Sequence, residues 1–178
     1  MNTLLPDLVS GQLSLVILPR GATRLLLDLV ARIARGAPLR VLDGGNCFNA
    51  YIVARELARH TQDVEAALNR IQVARAFTCY QVLSLLEDTP DDGTPTLALH
   101  ILDTFYDESV PLVERERLLA HSIQEIRRLC LRASVGVSAR WPKVDLPEAM
   151  ALLQTLERAA DRVWRLEPEQ PAVVLRLF

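Results

Sequence analysis

The chain has 178 residues, half of them apolar, with 20 basic against 22 acidic side chains, a formal charge of -2 and an isoelectric point near 5.9. A domain of this length buries roughly 70% of the surface its unfolded chain exposes and needs no covalent staple, while the near-neutral charge removes the broad positive footprint of a protein that coats nucleic acid unaided. Cys47, Cys79 and Cys130 are far apart in sequence and form no metal-ligand spacing, and no stretch has the pattern of a leader or a membrane span, so reduced thiols, a cytoplasmic location and no membrane contact are expected.

Leu13 to Leu18 is a short apolar run of strand formers that leaves through Pro19-Arg20-Gly21. A helix follows from Ala22 to Arg35, its apolar residues repeating at helical spacing until Gly36 and Pro38 stop it. Leu39 to Leu42 is a second strand that runs into Asp43-Gly44-Gly45-Asn46, and Asn49 is placed to cap a helix from Ala50 to His60. A short helix fits Val64 to Asn69, and Ile71 to Ala74 is a third strand. Thr78 can cap the next helix, which carries Val82, Leu83, Leu85 and Leu86, before the acidic loop Glu87 to Pro95.

Thr96 to Leu102 is a fourth strand, apolar except for His100, and ends at Asp103. Pro111 to Ala133 is the longest helix, with Glu114 to Arg117 expected as a solvated face held by internal ion pairs. Ser134 to Ser138 gives a fifth strand, Pro147 opens a helix to about Ala160, and Val163 to Leu166 followed by Ala172 to Leu177 looks like a closing antiparallel pair. Nearly continuous apolar strands between helices mean a mostly parallel sheet covered on both faces. The expectation is one three-layer α/β domain over residues 1–178.

In open parallel sheets a ligand sits beyond the carboxyl ends of the strands. That directs attention to Pro19–Arg24, Asp43–Phe48, Asp103–Asp107 and Ala139–Lys143. A phosphate-cradling loop needs G-x-x-x-x-G-K-[ST], because glycine backbones and a lysine together grip the anion. The first turn offers only Leu18-Pro19-Arg20-Gly21-Ala22-Thr23, with Ala22 where the lysine should stand. Of the 20 basic residues 19 are arginine, so Lys143 is the sole lysine. Asp103 has the placement of a carboxylate that holds Mg²⁺ through water opposite a nucleotide, or of a simple strand-end cap. His100 reads as a hydrogen-bonded core histidine, and His60 and His121 as helix-surface residues. Neither a nucleophile elbow nor a G-x-G-x-x-G fingerprint is present.

The segments Leu42-Asp43-Gly44-Gly45-Asn46-Cys47-Phe48, Val73-Ala74-Arg75-Ala76-Phe77 with Gln81 and Leu85-Leu86, Leu99 to Thr104, Glu114 to Leu119, and Val135-Gly136-Val137-Ser138 occur in an order that resembles the RecA/RadA recombinase core. The resemblance implies a RecA-like P-loop NTPase fold and a place in DNA recombination or repair. It also locates what is missing. The family's phosphate-binding lysine matches Ala22, although Gly21 and Thr23 beside it are kept. The glutamate that polarises the attacking water matches Gly45, two residues after the retained Asp43, and the γ-phosphate sensor matches Ser138-Ala139.

Phosphoryl transfer is catalysed by positioning and charge stabilisation, so these losses leave little rate enhancement. The resemblance therefore implies a non-catalytic accessory or paralogue-type protein with no catalytic residue and no required cofactor. The alternative is an ATP- and Mg-dependent switch using Gly21, Thr23, Asp43 and Asp103. A further alternative is a protein interaction module unrelated to DNA. In recombinases the loop after the last core strand holds single-stranded DNA, which maps here to Arg140, Trp141 and Lys143: two cations for phosphates and a ring for a base. The apolar composition further points to a protein partner or self-association.

Overall fold

The computed structural model describes residues 8–142 and 146–167. The elements in chain order are β1 (Leu13–Leu18), α1 (Thr23–Ala34), β2 (Leu39–Asp43), α2 (Ala50–Leu57), α3 (Val64–Asn69), β3 (Ile71–Arg75), α4 (Cys79–Asp88) and β4 (Thr96–Leu99). A 3-10 helix at Ile101–Tyr106 follows, then α5 (Leu112–Cys130), β5 (Val135–Arg140), α6 (Pro147–Ala159) and β6 (Arg162–Arg165). The six strands form one sheet in the order β3-β2-β4-β5-β1-β6, and every neighbouring pair is parallel.

Every residue of β1, β2 and β4 is buried, the physical consequence of a sheet with helices on both sides. The two faces divide β1 by the period of two expected of a strand. Leu13, Leu15 and Ile17 join the core made with α4, α5 and α6, whereas Val16 and Leu18 join the core made with α1, α2 and α3. The architecture is thus the expected three-layer α/β sandwich, consistent with a RecA-like fold. The predicted caps also form: the side chain of Asn49 accepts from Ile52 N and that of Thr78 from Gln81 N.

The expected closing antiparallel pair is not shown: its first strand, β6, joins the outer side of β1 in parallel register, and Ala172 to Leu177 lie outside the described residues. Two expectations need correction. The α2 helix stops at Leu57, short of His60. The second difference matters most for the site, because β4 ends at Leu99 instead of continuing to Leu102. His100 takes a left-handed backbone conformation with φ +46°, and Ile101, Leu102 and Phe105 are buried from the 3-10 helix. A continuous apolar run therefore serves two elements, with a break at the polar residue between them.

A candidate functional site at the carboxyl edge of the sheet

From β1 the chain crosses toward the β3 edge through α1, whereas from β4 it proceeds toward the β6 edge through α5 on the other face. This reversal marks the carboxyl ends of β1, β4 and β5 as the place where open α/β sheets hold their ligands. Thr23, Asp43, Asp103 and Arg140 all reach that edge. The structure brings the expected residues to one region, and it gives each of these side chains a partner within the protein.

The turn from β1 into α1 is short: Pro19 to Ala22 connect the two elements, closed by Ala22 N donating to Pro19 O at 3.0 Å. Thr23, the first helical residue, sits 3.1 Å through its Oγ1 from His100 Nε2. His100 is fully buried, its backbone N–H donates to Ser138 Oγ at 2.9 Å, and its Nδ1 has no partner. Burial, reinforced by the nearby Arg140 charge, holds its pKa down to about 3. The imidazole is therefore neutral near neutral pH.

Asp43 is likewise fully buried at the end of β2. Its carboxylate accepts from Cys47 N at 3.0 Å and Phe48 N at 2.9 Å, and it faces Arg75 Nε at 3.4 Å. Arg75 also donates to Phe48 O at 2.9 Å, so the two side chains fold the loop after β2 onto the end of β3. Burial and the Asp43 carboxylate push the Cys47 thiol up to about 12, which makes it a poor nucleophile. Beside Asp43 and Gly44 the cavity amounts to about 10 Å³, room for one water at most.

Gly44 and Gly45 both donate from their backbone N–H to Leu99 O, at 2.9 and 3.1 Å. A Cβ at Gly45 would lie 2.6 Å from His100 Cβ, and one at Gly44 would lie 3.0 Å from Ile101 Cα. These positions have room for hydrogen alone. The glutamate expected of an active relative has no space at position 45 without moving His100.

Asp103 stands within the 3-10 helix, not at a strand end, and is ion-paired with Arg140. Burial raises its pKa against the opposing pull of Arg140 and Arg20. A carboxylate that already faces a guanidinium is poorly suited to hold hydrated Mg²⁺. Gly21 is exposed on the turn with open space around it. Ala22 brings no charge to this turn, and the side chains of Thr23 and Asp103 both have partners within the protein.

The expected DNA-contact residues divide. Arg140 is the last residue of β5, extending that strand beyond Ser138, and its guanidinium faces Asp103. Trp141 packs partly buried against the core and its indole N–H donates to Leu166 O at 3.0 Å. Lys143 lies outside the described residues. The solvated face expected at Glu114 to Arg117 also divides. Arg117 pairs with Glu114, but Arg115 is buried, donates to Phe105 O and meets Glu148 at the start of α6. Arg115 borders a cavity of about 460 Å³ together with Tyr106, Glu108, Pro111 and Glu148.

His100 is the hydrogen-bonded core histidine that was expected, although it follows β4 instead of lying within it. Arg75 carried no sequence signal of its role: it sat in a family-like segment without an assigned partner. Among the described residues there is no group of three or more His, Cys, Asp or Glu that could hold a metal, and no helix long and apolar enough to cross a membrane. What the fold and this edge define is a parallel α/β domain whose polar side chains at the carboxyl edge are paired with one another. No protein-family model and no curated protein matches the chain.

Proposed function

We propose that this chain is a non-catalytic RecA-like accessory protein that acts in DNA recombination or repair through protein partners. The recombinase-like segments supply the class, and the parallel three-layer sheet agrees with it. One observation carries the non-catalytic part: Gly45 and His100 approach so closely that the position of the water-polarising glutamate is filled by imidazole, while Thr23 is bonded to that same ring. Ala22 stands in place of the lysine, Gly45 in place of the glutamate, and Asp103 is engaged by Arg140, so the charges that phosphoryl transfer relies on are missing or already paired. The protein works as a surface, not as an engine.

A recombinase purified from the same cells tests the assignment. Mixed with the chain, it should form a complex that migrates as one species and should alter strand-exchange yield. A chain that neither binds the recombinase nor changes strand exchange would remove the recombination assignment and leave an interaction module of another pathway.

A further inference from the structure

Strand β3 forms one edge of the sheet, and its outer side is bare. Arg70 O accepts from Leu39 N and Ala76 N donates to Asp43 O. In a parallel ladder both peptide groups of a residue face the same neighbour, so residues 72 and 74 face β2 and the N–H and C=O groups of Ile71, Val73 and Arg75 point outward. Next to this row lies a cleft of about 200 Å³ bordered by Leu42, Ala74, Leu85, Thr89 and Pro90. Val73 also borders it and is exposed, and Phe77 and Tyr80, the next large apolar residues along the chain, are exposed, Phe77 at 65%. Protein edges are commonly blunted by lysine, proline, a bulge or a covering element. Strand β3 has no lysine or proline, its one charged residue, Arg75, is engaged with Asp43 and Phe48 O, and no described strand pairs with its outer side.

Such an edge accepts an extended segment, with main-chain bonds for affinity and a cleft for one apolar side chain. The chain has a fitting segment outside the described residues: Ala172-Val173-Val174-Leu175-Arg176-Leu177, rich in strand formers and carrying one cation. The rim beside the cleft carries the exposed carboxylates Glu87 and Asp88, which complement Arg176. The segment cannot reach its own β3. Five strand steps separate β6 from β3, or ~24 Å at ~4.8 Å per step, whereas the connection from Glu167 to Ala172 spans at most ~17 Å at ~3.4 Å per residue. Return onto its own β6 is the rival. A monomeric wild type is the signature of that return.

We propose that residues 172–177 of one copy add as a strand to the outer side of β3 of a second copy, placing an apolar side chain in the Leu42–Ala74–Leu85 cleft. In such a pair the donor keeps its β3 edge free and the acceptor keeps its segment free, so the contact is head-to-tail and assembly continues beyond the dimer. The inference stands apart from the accessory role, since nucleotide binding at the carboxyl edge would leave this edge unchanged.

Sedimentation velocity of the full chain over rising concentration tests it. The wild type should form oligomers that grow with concentration, and Val73→Pro on the edge or Leu175→Glu in the segment should each leave monomers. The Val73 N–H points outward, so proline there removes no bond to β2; should that variant fail to fold by circular dichroism, Ala74→Glu blocks the cleft instead. The mixture is decisive. An edge-blocked chain still offers its segment and a segment-blocked chain still offers its edge, so mixing the two should give a one-to-one complex and nothing larger. A monomeric wild type, oligomers that survive either substitution, or no complex in the mixture would overturn the proposal.

Discussion

A Cβ at position 45 would lie 2.6 Å from His100 Cβ, which limits the side chains that the carboxyl edge can take. Introducing the groups of an active recombinase with Ala22→Lys and Gly45→Glu is expected to yield no ATP turnover in a phosphate-release assay. The new side chain must displace His100, and overpacking of this kind costs about 1–3 kcal/mol, visible as a lower urea midpoint. Turnover by the double variant would show that the carboxyl edge opens more readily than the contact implies.

His100 also sets a pH dependence. Its folded pKa, near 3, lies below the unfolded value near 6.5, so between those limits the unfolded chain binds the extra proton. Stability from this group is complete above pH 6.5 and declines as pH falls, with a slope up to about 1.4 kcal/mol per pH unit. Asparagine tolerates the left-handed backbone and does not titrate. Urea unfolding at a series of pH values between 7 and 5 should therefore show a shallower decline for His100→Asn than for the wild type. Parallel declines would mean that the ring is not held neutral by burial.

At the scale of elements, the sequence was legible where one run of residues served one purpose. The caps at Asn49 and Thr78, the α1 stop at Gly36 and the short α3 helix all follow from local chemistry that tertiary contacts do not override. It was illegible where one pattern served two purposes. Thr96 to Leu102 is apolar enough for a single strand, and only the left-handed His100 reveals that the last part is a 3-10 turn packing into the same core.

The charged run Glu114 to Arg117 hides the same ambiguity. Helical spacing places Arg115 toward the 3-10 helix and α6, but the residue types do not distinguish it from solvent-facing Arg117. Arg115→Ala should lower stability by about 2 kcal/mol, through the lost bond to Phe105 O and the packing of its stem, whereas Arg117→Ala should produce no measurable change in the urea midpoint. Equal effects would contradict the difference in burial. Trp141 belongs with Arg115: because its indole is tied to Leu166 O, Trp141→Ala should lower the unfolding midpoint while leaving the affinity for single-stranded oligonucleotides unchanged. A selective loss of oligonucleotide binding would restore the stacking role.

For the whole molecule, burial on both faces made the parallel sheet legible, since no half-solvated sheet tolerates strands apolar throughout. The order of the strands and the direction of β6 were not, because they depend on which crossover each helix makes and leave no local mark. The order in turn sets the reversal between β1 and β4, so the candidate site could be approached only as a set of strand-end residues. Their internal pairing, Thr23 with His100, Asp103 with Arg140 and Asp43 with Arg75, is a property of the folded chain. Calorimetric titration with Mg-ATP tests the central claim most directly. An edge paired in this way should give no binding heat up to millimolar nucleotide, whereas a micromolar dissociation constant that is lost on Thr23→Val would contradict it.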